Sequence, residues 1–166
     1  QILNNLDNTS GTSFYSSSHR LTVNRTDVIL SPLAESQPQT LSWHEYMHTI
    51  EIFNGTLKLT IADSLPWQFD PKMAYIQYED LQFPLIVRKW EQGDQFKPFG
   101  MNNFKKLSDF FIDNKMPIPE KDITPIIING NSEIIWVAGM RQDNRYKVNE
   151  TTKKVAIFEW INNESA

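Results

Sequence analysis

One segment of the chain has the residue types and the spacing of a metal site. Residues His44 to His48 match the H-E-x-x-H pattern, in which one helix places two imidazoles a turn apart around zinc, beside a general-base glutamate. The flanking residues 40–43 and 49–53 are rich in β-forming side chains, and no Gly-x-x-His follows to complete the longer form. The sequence therefore favours a half-exposed strand segment here, and a zinc hydrolase using H-E-Y-M-H stands as a remote alternative.

Other patterns that predict a catalytic site are missing from the sequence. The six glycines stand apart and none belongs to a phosphate-binding loop, so nothing in the sequence predicts an ATP site. The three histidines lie in the first third of the chain without a nucleophile elbow, and the lack of cysteine excludes thiol nucleophiles and thiolate metal sites. We therefore predict neither catalytic residues, nor a metal, nor a cofactor for this chain.

The basic residues are concentrated towards the C-terminus. The net charge of −4 opposes a nucleic-acid partner, because neutralising phosphates normally requires a basic surface. However, residues 1–70 contain three basic and seven acidic side chains, whereas residues 141–154 contain two acidic and five basic ones, namely Arg141, Arg145, Lys147, Lys153 and Lys154. This late segment is a candidate for contacts with phosphate groups.

A second candidate lies at the start of a predicted helix. Apolar spacing predicts a helix from Asn103 to Asn114, with Lys105 and Lys106 in its first turn. Cations there oppose the helix dipole, whereas a phosphate bound by them and by the free amides would be stabilised. A solvated polar face explains the two lysines equally well, and the sequence leaves both interpretations open.

The elements that must position these residues are mostly short strands. Asn54-Gly55 and Asn129-Gly130 each separate two apolar runs and predict hairpins with these residues at the turn. The further predicted elements are strands at 20–23, 28–30, 83–90, 146–148 and 155–160, and one helical turn at 120–124. The predicted fold class is β-rich α+β, with a helix covering one face of a sheet.

We predict one domain over residues 12–162, formed by two sheet-forming halves at about 12–70 and 71–162. Residues 1–11 are polar and are interpreted as a linker from a missing N-terminal region, and 163–166 as a tail. No apolar run reaches the length that crosses a bilayer, so we expect no membrane association.

An ordered set of short motifs resembles the C-terminal domain of tRNA(Ile)-lysidine synthetases. The resemblance covers roughly residues 12–160 and is densest from Phe83 onward. It rests on Phe83-Pro84-Leu85, Arg88-Lys89-Trp90, Pro98-Phe99-Gly100-Met101, Lys105-Lys106-Leu107-Ser108-Asp109, Ile134-Ile135-Trp136-Val137-Ala138-Gly139, and Asp143-Asn144-Arg145-Tyr146-Lys147-Val148. The fold that it implies is a β-sandwich with flanking helices, shared with the phenylalanyl-tRNA synthetase β subunit.

The resemblance also implies a function. Such a parent enzyme is a cytoplasmic ligase that uses ATP with magnesium to attach lysine to C2 of the wobble cytidine of tRNA(Ile). Catalysis then belongs to a PP-loop domain that this sequence lacks, and the partners are tRNA(Ile), the enzyme's own N-terminal catalytic domain and, as an open possibility, a second copy. This chain would bind the tRNA acceptor stem through Lys105, Lys106, Arg141, Arg145, Lys147, Lys153, Lys154, Arg88 and Lys89. The alternative is a structural or protein-interaction domain that does not bind RNA.

Overall fold

The computed structural model describes residues 12–15, 19–23, 26–32 and 40–163, and most of their regular structure is antiparallel sheet. The predicted linker 1–11 and residues 164–166 of the predicted tail lie outside these ranges. In chain order the strands are β1 Thr12–Tyr15, β2 His19–Val23, β3 Val28–Pro32, β4 Thr40–Trp43, β5 Thr49–Ile52, β6 Gly55–Ala62, β7 Ala74–Gln77, β8 Leu85–Arg88, β9 Gln95–Phe96, β10 Lys105–Lys106, β11 Ile126–Ile128, β12 Ile134–Val137, β13 Arg141–Gln142 and β14 Val155–Asn162. The helices are α1 Leu107–Asp113 and α2 Ile118–Asp122, with 3-10 turns at Tyr78–Asp80 and Asn144–Tyr146.

Two larger sheets form the centre of the molecule. One has the strand order β13-β12-β11-β8-β4 and the other β5-β6-β14-β7, so each combines strands from before and after residue 70. The period-two pattern of β5, with Ile50 and Ile52 buried and Thr49 and Glu51 exposed, is what a half-buried strand requires. The remaining described strands form two smaller sheets, β1-β2-β3 and β9-β10.

The main core lies between the two larger sheets. Phe158 of β14 packs edge-on against Trp43 of β4, with ring centroids 5.5 Å apart, and 6.0 Å from the ring of Trp136 of β12. All three side chains are completely buried. Because the rings come from facing sheets, this contact defines a sandwich.

A second core lies on the other side of the five-stranded sheet. Helix α1 buries Leu107, Phe110 and Phe111 there, against isoleucines of β11 and β12 and against Phe96 of β9. The predicted class, a β-rich sandwich with flanking helices, is therefore confirmed. No helix in the described ranges has the length and apolar character of a membrane span.

The predicted strands 20–23 and 28–30 are also confirmed, as β2 and β3, which pair with each other. An ion pair between Arg20 of β2 and Asp122 of α2 joins this N-terminal sheet to the rest of the chain.

Both Asn-Gly hairpins form, but their glycines serve a different purpose from the predicted one. In the first, Phe53 and Asn54 have positive φ (50° and 57°), while Gly55 already pairs with Ile52 in the ladder. A Cβ on Gly55 would lie 2.2 Å from Cη2 of Trp160, so this position needs a glycine for close packing.

In the second hairpin the positive φ falls on Ser132 (71°). The amide of Gly130 donates to the carbonyl of Gln82 at 2.8 Å, and a Cβ there would lie 2.4 Å from that same oxygen. The predicted strand at 146–148 is wrong, because Tyr146 ends a 3-10 turn and Lys147 makes only an isolated bridge to Ile76.

Candidate nucleic-acid interface

Asp143 organises the basic segment 141–147. Its completely buried carboxylate accepts hydrogen bonds from the backbone amides of Lys97 (2.9 Å) and Arg145 (2.8 Å), the second of which caps the 3-10 turn. The amide of Asn144 donates in return to the Lys97 carbonyl at 2.7 Å. Segment 141–147 is therefore fixed against loop 97–104, and these two segments form one continuous surface.

The guanidinium of Arg145 is held by carboxylates. Its Nε and Nη2 donate to the two oxygens of Asp143, both at 3.0 Å, and Nη1 lies 3.1 Å from Oε1 of Glu133. The hydrogen bonds to Asp143 raise the pKa of Arg145, burial lowers it, and the charges of Asp143 and Glu133 raise it further. The charge of Arg145 is therefore largely neutralised inside the protein, and its main role is to hold the segment in place.

Two more predicted contacts are paired in the same way. Arg88 makes a two-pronged ion pair with Asp94, at 2.9 and 3.0 Å, which is the first cause of its raised pKa. Lys105 forms an ion pair with Asp113. Three of the nine predicted cations are thus occupied by carboxylates.

The phosphate anchor predicted at a helix start is not formed. Helix α1 begins at Leu107, four residues later than predicted, because Lys105 and Lys106 are paired in strand β10 with Phe96 and Gln95. The first helical amide, that of Leu107, donates to the carbonyl of Asp94 at 2.8 Å and is not available to an anion. Lys106 remains an exposed cation in an extended segment.

The other predicted cations make no ion pair with any residue that the structure describes. Arg141 lies over the ring of Phe110, 5.6 Å from its centroid, and Lys147 is exposed beside β7. Both line one groove. Lys153 and Lys154 are exposed just before β14, where the ammonium of Lys154 lies 5.9 Å from the ring of Tyr78. Lys89 is half-buried after β8.

The sequence prediction missed an aromatic side chain between two cations. Phe104 is 50% exposed, and its ring centroid lies 4.8 Å from Nζ of Lys97 and 5.0 Å from the guanidinium carbon of Arg145. Loop 97–104 contains Lys97 and the two phenylalanines Phe99 and Phe104, and this combination of a cation with aromatic residues was the signal that could have identified it. Exposed rings beside cations are typical of surfaces that contact RNA, because bases stack on rings while cations neutralise phosphates.

Residues 44–48 form a turn between β4 and β5, in which the Met47 amide donates to the His44 carbonyl at 2.9 Å. The predicted strand segment is therefore wrong. A zinc-peptidase site also requires a helix at these residues, and no group of three potential ligands occurs anywhere in the described ranges. His44 instead stacks on Tyr46, with ring centroids 5.5 Å apart.

The pH dependence of stability tests the surroundings of Tyr146. Burial raises the pKa of Tyr146 above its ordinary 10.0, and hydrogen bonding to Glu133 adds to the rise. The unfolded phenol therefore ionises first, so its contribution to stability is complete below about pH 10 and is lost as pH rises through the folded pKa. We expect the urea midpoint of the native chain to fall more between about pH 9 and about pH 11 than that of Tyr146→Phe. If the urea midpoints of the two proteins fell equally over this pH range, the raised pKa of Tyr146 would be contradicted.

Comparison with known proteins gives a consistent result. Residues 85–160 match the family model for the TilS substrate C-terminal domain, and residues 1–33, including the predicted linker, match that for the TilS substrate binding domain. The tRNA(Ile)-lysidine synthase of Parabacteroides distasonis is 38% identical over 153 residues, covering 91% of this chain and 35% of that one. The tRNA(Ile)-lysidine synthase of Bacteroides thetaiotaomicron is 30% identical over 160 residues, covering 96% of this chain and 35% of that one. The chain thus spans about a third of the length of these relatives.

A solved structure agrees on the fold. A structure titled "Crystal structure of TILS C-terminal domain" superposes with a TM-score of 0.66 at 19% identity, covering 75% of this chain and 98% of that one. An N-terminal fragment of the Pyrococcus horikoshii phenylalanyl-tRNA synthetase β-subunit gives a TM-score of 0.45 at 16% identity, covering 52% and 27%.

Proposed function

The chain belongs to the TilS C-terminal domain family, and from this premise we propose that it is the tRNA-recognition part of a tRNA(Ile)-lysidine synthetase. In this proposal the chain is non-catalytic and grips the acceptor stem. A separate catalytic domain in the cytoplasm uses ATP with magnesium to attach lysine to C2 of the wobble cytidine. Holding the stem would place only the correct tRNA in register with that distant active site, which is a positioning role.

The observation that carries the proposal is the pair of unpaired cations on the Asp143-organised segment. Arg141 and Lys147 make no ion pair with any described residue, whereas the neighbouring Arg145 is neutralised by Asp143 and Glu133. A cation left without a carboxylate is available to a phosphate oxygen, and binding releases the counterions condensed on the RNA. The exposed lysines Lys106, Lys153 and Lys154 add further contacts in this proposal, and the paired cations Arg88, Lys105 and Arg145 hold the surface in shape.

The test is the salt dependence of tRNA binding. We expect the logarithm of the association constant to fall linearly with the logarithm of salt concentration. The double variant Arg141→Gln/Lys147→Gln should have a slope shallower by about two, because each phosphate contact contributes about one. The measurement is fluorescence anisotropy with labelled tRNA and with a minihelix of the acceptor stem. An equal reduction of the slope with tRNA and with the minihelix would place the contacts on the acceptor stem.

The matched control is Lys58→Gln, which removes one positive charge from the exposed side of β6, separated from β7 by β14. It should keep the slope of the unmodified chain. A slope unchanged in the double variant would remove Arg141 and Lys147 from the interface. A chain that binds no tRNA even at low salt would favour the structural or protein-interaction alternative.

A further inference from the structure

A groove of about 850 Å³ opens beside strand β7, next to the Asp143-organised segment. Its lining includes the aromatic residues Phe69, Tyr75 and Phe99 and the cations Arg141 and Lys147, which make no ion pair with a described residue. Phe69 is 55% and Phe99 53% exposed. The volume falls within the range of small-ligand sites in proteins.

Buried hydrogen bonds hold two of the groove's walls in place. The side chain of Gln142 accepts from the Tyr75 amide at 2.8 Å and donates to the Tyr75 carbonyl at 3.1 Å, so it completes the edge of β7. The Gln142 carbonyl accepts from the Phe99 amide at 2.9 Å. One residue therefore joins the wall containing Tyr75 to the wall containing Phe99, and the groove is formed before any ligand arrives.

Phe69 is anchored to the same wall. Its ring meets that of Tyr75 edge to face, with centroids 4.8 Å apart, and the Asp70 amide donates to the Tyr75 hydroxyl at 2.9 Å. The carboxylate of Asp70, the acidic group of this lining, accepts from the Lys72 amide at 2.9 Å and so forms part of its own turn. The Phe69 ring is therefore held against Tyr75 and the Phe99 backbone against Gln142, while Arg141 and Lys147 supply positive charge.

We propose that this groove receives one unpaired nucleotide of the bound RNA, with its base against the rings of Phe69 and Phe99 and its phosphate against Arg141 and Lys147. The inference rests on the proposed tRNA-binding function and adds a site for single-stranded RNA to it. An unpaired base exposes an aromatic face that stacks on any ring, whereas a paired base in a duplex has its faces covered by its neighbours. The charge of the groove suits a phosphate and disfavours a basic peptide.

The experiment compares two RNA probes with the 166-residue chain: a blunt RNA duplex and the same duplex carrying a short single-stranded overhang. We expect the chain to bind the overhang probe about five- to a hundredfold more tightly. The variant Phe69→Ala/Phe99→Ala should lose this preference while keeping its affinity for the blunt probe. Because both rings are half exposed, the variant should stay folded with only a small drop in its thermal midpoint from the lost contact of Phe69 with Tyr75. The control is Tyr46→Ala, which removes an exposed aromatic side chain from the 44–48 turn.

The outcomes separate this inference from the proposed function. Equal affinity for the two probes, or an overhang preference that survives in the double variant, would overturn the nucleotide site while leaving duplex binding intact. If the chain bound neither probe, both proposals would be overturned. A preference lost equally in Tyr46→Ala would show that the groove is not the site.

Discussion

Asp143→Ala is expected to lower the free energy of unfolding by about 3 to 5 kcal/mol, which is the usual cost of removing one partner from a buried ion pair. Asp143 is completely buried and accepts from two backbone amides as well as from the Arg145 guanidinium, so its removal leaves several donors without a partner. Urea unfolding followed by circular dichroism measures the change. Loop 97–104 would also be held less firmly against segment 141–147, because the bond from the Lys97 amide is lost, so the salt dependence of tRNA binding should weaken at urea concentrations where the variant is still folded.

Two comparisons sharpen this prediction. Asp143→Asn keeps one acceptor oxygen but turns an amide towards groups that donate hydrogen bonds. Its free energy of unfolding should therefore fall by less than that of Asp143→Ala, but still substantially. Glu150→Ala removes an exposed carboxylate from the following turn and should change stability by no more than about 0.5 kcal/mol. An Asp143→Ala protein as stable as the Glu150→Ala protein would show that Asp143 does not organise this surface.

Phe158→Ala is expected to cost about 3 to 5 kcal/mol, since it empties the space between the two larger sheets. Its ring contacts Trp43 and Trp136 of the facing sheet and is completely buried. Phe158→Leu keeps most of the volume and should cost less than half as much. Ile161→Ala, on the same strand but 38% exposed, is the control. Equal unfolding midpoints for Phe158→Ala and Ile161→Ala would contradict the sandwich.

Local patterns predicted strands such as β6, β8 and β14, but they missed β7 and placed a strand at 146–148 that does not form. The same patterns misplaced features that depend on distant partners. The helix was predicted from Asn103 because the apolar spacing continues there, but pairing of Lys105 with Phe96 keeps this segment extended until Leu107. Gly55 was assigned to a turn conformation, although it is required by Trp160, which lies far along the chain and whose contact no local rule predicts.

The candidate interface was predictable only in part. The charge pattern located segment 141–154, and within the described ranges Arg141 and Lys147 of this segment make no ion pair. The charge pattern could not distinguish available cations from paired ones. Glu133 reaches Arg145 from the β11–β12 hairpin, and Asp113 at the end of α1 reaches back to Lys105. The contribution of Phe104 depends in the same way on Arg145, which only the fold brings beside it.

The titration of tRNA into the chain at several salt concentrations tests the central claim most directly. The account predicts binding that weakens steeply as salt rises, with a slope reduced by about two in Arg141→Gln/Lys147→Gln and unchanged in Lys58→Gln. Indistinguishable slopes for the native chain and the double variant would contradict the claim that these two side chains contact phosphate.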